Sequence, residues 1–144
     1  MMGDALPDTD HMVRYIKGTH IDDGEVNGAD FCLREDEEGV SGSCLEAFPT
    51  DKEGQLAEVR RLRRREWKRT GRLAELNVGT TRDFLREELP RLVFIELPLD
   101  ATAQHEEDRS HCEIRNLPAY NTEQSLIAGE MIADCVQALH PALI

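Results

Sequence analysis

His111, Glu113 and Arg115 alternate with Cys112 and Ile114 in the stretch His111-Cys112-Glu113-Ile114-Arg115. On a strand, this alternation sets the imidazole, the carboxylate and the guanidinium on one face. A histidine beside a carboxylate can move a proton, and an arginine can hold an anionic oxygen. Glu96, which follows the apolar run Leu92-Val93-Phe94-Ile95, would join them from a neighbouring strand. Polar residues also alternate on any half-exposed strand, so these four make a weak catalytic constellation. Cys112 cannot take His111 as its base, because adjacent strand residues point to opposite faces.

The second chemical feature is cationic. Arg60, Arg61, Arg63, Arg64, Arg65, Lys68, Arg69 and Arg72 fall within thirteen residues that contain one acid, Glu66, in a chain of net charge −12. Such a patch in an otherwise repulsive field concentrates attraction for a polyanion or an acidic partner at one place. Trp67 in its midst could stack on a base if exposed. The strongly acidic total opposes non-specific DNA binding, since the usual footprint of that function is basic.

Metal and cofactor signatures are missing. Cys32 and Cys44 are separated by eleven residues, with His111-Cys112 far downstream, and no C-x-x-C or H-x-x-x-H pair occurs. Asp23-Gly24-Glu25-Val26-Asn27-Gly28 imitates the start of a calcium loop, then fails at Asp30 and at Arg34, where a bidentate Glu is required. Two turns explain the same residues. The acidic run Glu35-Asp36-Glu37-Glu38 reads as a solvated hairpin tip. There is no phosphate-cradling glycine loop, nucleophile elbow or H-E-x-x-H helix. Neither metal nor cofactor is expected.

A chain of 144 residues, 40% hydrophobic and 32% charged, suits one compact core. The start MMGDALPDTD lacks the cationic and apolar pattern of a secretory signal, and no apolar run approaches the roughly 20 residues of a membrane span. A cytoplasmic protein is expected, with its four cysteines as thiols. Residues 1–10 read as a disordered tail and 11–144 as a single α+β domain with an irregular β-rich N-terminal third.

Thr50-Asp51 offers a helix cap, and Leu56, Val59, Leu62 and Trp67 share one arc, which predicts a helix over 52–69 with Arg60, Arg61, Arg64, Arg65 and Lys68 fanned on the opposite side. A strand or helix continuation follows at 73–78. A short helix is expected next, capped by Thr80 or Thr81 and running through Leu89. Arg91–Leu97 predicts a buried strand and 111–115 another. Asn121 with Gln124 resembles a capping box for a well-buried last helix that carries Leu126, Ile127, Met131, Ile132, Cys135, Val136 and Leu139.

These residues favour a non-catalytic cytoplasmic accessory or regulatory subunit of bacterial style. It would bind a protein partner through the Arg-rich helix and the acidic N-terminal region. An RNA- or DNA-contacting subunit using the same helix is the alternative, and a small enzyme using His111 and Glu113 is the third reading. Oligomeric state has no signature in the sequence.

Overall fold

The computed structural model describes residues 3–63 and 67–144. Among the described residues, three α-helices and eight strands form a mixed α+β domain around a six-stranded antiparallel sheet. In chain order the elements are β1 (His11–Ile16), β2 (Ile21–Asp22), β3 (Glu25–Val26), β4 (Gly39–Cys44), α1 (Lys52–Arg63), β5 (Arg72–Asn77), α2 (Val78–Phe84), β6 (Val93–Glu96), β7 (His111–Arg115), α3 (Glu123–Asp134) and β8 (Ala138–Pro141). The sheet order is β6-β7-β4-β1-β5-β8, and β2-β3 forms a separate hairpin about the Asp23-Gly24 turn. The acidic run before β4 is an exposed loop, in which Glu37 accepts a hydrogen bond from the Arg34 N–H at 3.0 Å.

Each sheet face carries its own apolar cluster, because side chains alternate along every strand. Met12, Ile16, Val40, Leu76, Phe94 and Ile114 share one face with residues of α2 and α3. Val13 and Leu73 share the other with Leu45 and with Leu56 and Val59 of α1. Burying each of those two α1 side chains stabilises the contact by roughly 1.5–3 kcal/mol.

β1 and β5 pair along six residues, but β1 and β4 pair only at Met12–Cys44 and Val13–Ser43. Beyond that point the strands part. Arg14 enters the seam, donating from Nε to the Asp30 carbonyl at 2.8 Å and from Nη1 to the Ser41 carbonyl. Gly42 sits at the crossing, where a β-carbon would lie 2.7 Å from the Val13 carbonyl oxygen and closer still to the Met12 methyl.

Four expectations need correction. Residues 3–10 are docked rather than frayed. Leu6 is 7% exposed, its N–H donates to the Phe94 carbonyl at 2.8 Å, and the Glu96 N–H donates to the Asp4 carbonyl at 2.9 Å. The segment therefore covers the outer edge of β6, whose backbone groups would otherwise be open. The arginine helix starts as the sequence suggests, with the Asp51 carboxylate accepting from the Gly54 N–H at 2.9 Å. However, the chain is no longer helical at Trp67–Arg69, where the indole lies flat on the Tyr15 ring, centroids 5.2 Å apart.

The cap of α2 is Asn77, which accepts from the Thr80 N–H at 2.8 Å, so β5 passes directly into a helix that ends at Phe84. The cap of α3 is Thr122, accepting from the Ser125 N–H at 3.1 Å, and only Ser125, Ala128, Gly129 and Ile132 are buried along it. At Gly129 a β-carbon would come within 2.4 Å of the Gly28 carbonyl oxygen, which fixes α3 against the turn at Gly28–Phe31. Past Cys135 the chain reverses into β8, so Leu139 belongs to a strand and pairs with Ala74.

Candidate functional site

The face of the sheet that holds Val13, Ser43 and His111 is roofed by α1 only above β1 and β5. Beside that roof lies a cleft of about 330 Å³, lined by Tyr15, Ser41, Ser43, Arg63, Trp67 and His111, with Val13 and Leu73 of the sheet and Val59 of α1 as its apolar lining. Ser43 pairs across the ladder with His111. The neighbouring Cys44 N–H donates to the Ser110 carbonyl at 2.7 Å, so Ser43 and His111 form a non-hydrogen-bonded pair, the kind whose side chains stand closest.

His111 Nδ1 lies 2.8 Å from the Leu97 carbonyl oxygen. A carbonyl only accepts, so Nδ1 carries the proton and Nε2 of the neutral ring is an acceptor. Nε2 has no partner among the described residues, and neither do the Ser41 and Ser43 hydroxyls. Glu113 does not reach His111. Its Oε1 accepts from Arg115 Nε at 2.7 Å, and Arg115 also faces Glu38. Glu96 stands directly across from Cys112, and therefore on the opposite face of the sheet from His111, Glu113 and Arg115. The four-residue catalytic constellation is thus not assembled. Cys112 is fully buried, and burial, followed by the nearby Cys44 and Asp108, pushes its thiol well above its ordinary value.

The cations of the Arg-rich segment are distributed unlike a solvated rack. Arg60 is 9% exposed and donates through Nε and Nη2 to the Pro141 carbonyl at 3.0 and 2.8 Å. Arg61 pairs with Glu58 and Glu106 at 2.9 and 2.8 Å. Arg63 Nη2 lies 2.9 Å from Asp108, whose other oxygen accepts from the Ser110 N–H and hydroxyl at 2.9 and 2.6 Å. The physical reason is the helix wheel: the arc centred on Leu56 and Val59 also contains Arg60 and Arg63, whose long stems pass along the apolar surface. Arg64 and Arg65 lie outside the described residues. Arg72 Nη1 caps backbone carbonyls, at 2.8 Å for Gly71.

Lys68 and Arg69 are exposed, and their side chains have no carboxylate partner among the described residues. Lys68 lines a second recess of about 370 Å³ with Tyr15, Lys17, Gly18, Thr19 and Thr70. Tyr15 borders both recesses, stacks on Trp67, and accepts from the Lys68 N–H at its hydroxyl at 3.1 Å. Trp67 is half-buried, with its face against Tyr15.

Two polar clusters were not visible in the sequence. Glu75, 0% exposed, accepts from Lys52 Nζ at 2.7 Å, Gln137 Nε2 at 2.6 Å and His140 Nε2 at 2.7 Å. Burial pushes its carboxyl up, but the three donors outweigh burial and hold it below its ordinary value. Among the described residues, one set of three side chains could hold a small divalent cation: Asp10, Cys44 and Glu46, with one ligand atom each within 4.8 Å of the others. The Glu46 carboxylate is also met by the backbone N–H and ring Nδ1 of His11, each at 2.7 Å. Burial, followed by the charge of Asp10, pushes the Cys44 thiol up to about 12, so it stays protonated beside both carboxylates. Neither cluster is a local motif, since Glu75 meets partners 23, 62 and 65 residues away and Asp10 meets Cys44 across 34 residues.

No protein-family model matches the chain, and no match was found to a curated protein or to a solved structure. Among the described residues, no helix is long and apolar enough to cross a membrane.

Proposed function

We propose that this protein is a non-catalytic cytoplasmic accessory or regulatory subunit that binds an acidic segment of a partner protein where Tyr15 and Trp67 divide the two recesses. The observation that carries this reading is the set of cations left unpaired there. In a chain of net charge −12, Arg61 and Arg63 are engaged by carboxylates, whereas Lys17, Lys68 and Arg69 have no carboxylate partner among the described residues. The partner's carboxylates would meet these three, and one of its side chains would enter the cleft toward Ser43 and His111 Nε2.

The absence of any bond between Ser43 and His111, and the engagement of Glu113 by Arg115, favour binding over catalysis. The internal engagement of Arg60, Arg61 and Arg63 favours a protein over a nucleic acid, because those side chains are not free to follow phosphates.

The test is affinity purification of the full chain and of its Lys68→Glu, Arg69→Glu variant, followed by salt titration of the recovered complex. The wild type should retain an acidic protein that the variant loses, while both melt alike. A nucleic acid held by three such cations would instead give a log–log salt slope of about −2.7 on duplex DNA. That slope, or equal recovery by the variant, would refute this assignment.

A further inference from the structure

The outer side of α3 and the groove beside it form a second surface, of opposite charge and remote in sequence from Trp67. Leu126 and Ile127 are 60% and 49% exposed, whereas Ala128 and Ile132 of the same helix are buried. Ile127 lines a groove of about 240 Å³ with Glu88, Leu89, Pro118, Gln124 and Ala128. Tyr120, just before the helix, is 52% exposed. A chain this polar has no internal reason to present Leu126 and Ile127 side by side to water, and exposed apolar groups grouped this way mark interaction sites.

The charge around the groove says what kind of segment fits. Glu123, Ile127, Glu130 and Asp134 fall on one stripe of α3, at the helical spacing that aligns side chains, and all four are exposed. Glu87 and Glu88 add two carboxylates from the turn after α2. None of these acids has a cationic partner among the described residues. No Lys or Arg occurs after Arg115, so α3 has no cation of its own to neutralise them.

From this complementarity we propose that α3 and its groove bind a basic amphipathic segment of a partner protein. Apolar residues of that segment would seat on Ile127 and Leu89, with lysines or arginines over Glu88 and Glu123. An apolar stripe laid in a groove supplies affinity, and the surrounding carboxylates set orientation and partner choice. This surface stands independently of the acidic-partner site at Trp67.

The probe is a fluorescent peptide of about 14 residues with leucines at i, i+3, i+4 and i+7 and lysines elsewhere, read by anisotropy. Two controls keep its length: the same composition scrambled, and the same stripe with glutamates for lysines. The full chain should bind the first peptide at least about tenfold more tightly than either control. Ile127→Asp and, separately, Glu88→Lys with Glu123→Lys should each weaken it by a similar factor, and Lys68→Glu with Arg69→Glu should leave it unchanged. All these positions are exposed, and matched melting curves check the fold; Ile127→Ala serves as the milder variant. Equal binding of the scrambled peptide would reduce the surface to a charge field and overturn the proposal. So would no binding at all, or a self-association of the chain that Ile127→Asp abolishes, which would make a second copy the occupant.

Discussion

Glu75 ties three parts of the molecule to one buried carboxylate, so its removal tests the packing logic of the whole second face. Lys52 reaches it from the start of α1, and Gln137 and His140 from the C-terminal chain that pairs with β5. Hydrogen bonds to a charged group contribute about 1.5–3 kcal/mol each. The Lys52 partner is 46% exposed and its share is screened, so the buried end of the cluster dominates. Glu75→Ala removes the anion, leaves Gln137 and His140 donors without an acceptor, and opens a void, which together should cost about 3–5 kcal/mol.

At about 2–4 °C per kcal/mol for a domain near this size, the melting temperature should fall by roughly 6–20 °C. Glu75→Gln keeps the shape and isolates the charge. Because the folded carboxyl is held below its ordinary 4.5, its stabilisation is fully present above that pH and is lost as pH falls through the folded value. The gap in unfolding free energy between wild type and E75Q, from urea titrations, should therefore be widest near neutrality and narrow below about pH 4.5. A Glu75→Ala cost under about 1 kcal/mol, or a gap that stays constant down to about pH 3, would refute the reasoning.

Two further outcomes follow from the described contacts. Leu6→Ala should destabilise by about 2–4 kcal/mol in urea unfolding, since Leu6 is packed in the first core; a change within about 0.5 kcal/mol would return residues 3–10 to a loose tail. A double-mutant cycle between Arg63 and Asp108 should give a coupling of about 1–3 kcal/mol, and one between Arg61 and Glu106 less than about 0.5, because Asp108 is buried and Glu106 is exposed. Equal couplings would remove the distinction between anchored and surface cations.

What the sequence disclosed was local. The Asp51 cap, the alternation of Cys112 and Ile114 against His111 and Glu113, and the strand Val93–Glu96 all rest on neighbours along the chain, and they stand in the fold. Register is a long-range property and left no such mark. Nothing near Leu6 announces that β6 needs an edge cover, and nothing near Leu139 separates β8 from a continuing helix, since no glycine or proline breaks Cys135–His140. Arg60 was misplaced although the helix wheel sets it beside Leu56, and only its acceptor, the Pro141 carbonyl eighty-one residues away, shows how a cation is accommodated in the apolar arc. The catalytic constellation dissolved for a related reason. Facing across strands depends on register, and the register sets Glu96 against Cys112 rather than Glu113.

The seam at Arg14 gives the sheet a grain. With only two residue pairs joining β1 to β4, the block β6-β7-β4 and the block β1-β5-β8 are each bound internally by fuller ladders than the one between them. Amide hydrogen exchange should resolve two cooperative units rather than one, with the amides of Gly39–Gly42 that face the seam exchanging ahead of those paired with β7. The cleft beside Trp67 straddles this boundary, drawing Tyr15 from one block and Ser43 and His111 from the other. Its width is therefore set by the weakest junction in the sheet, and an occupant touching both sides would slow exchange across the seam without adding a single strand.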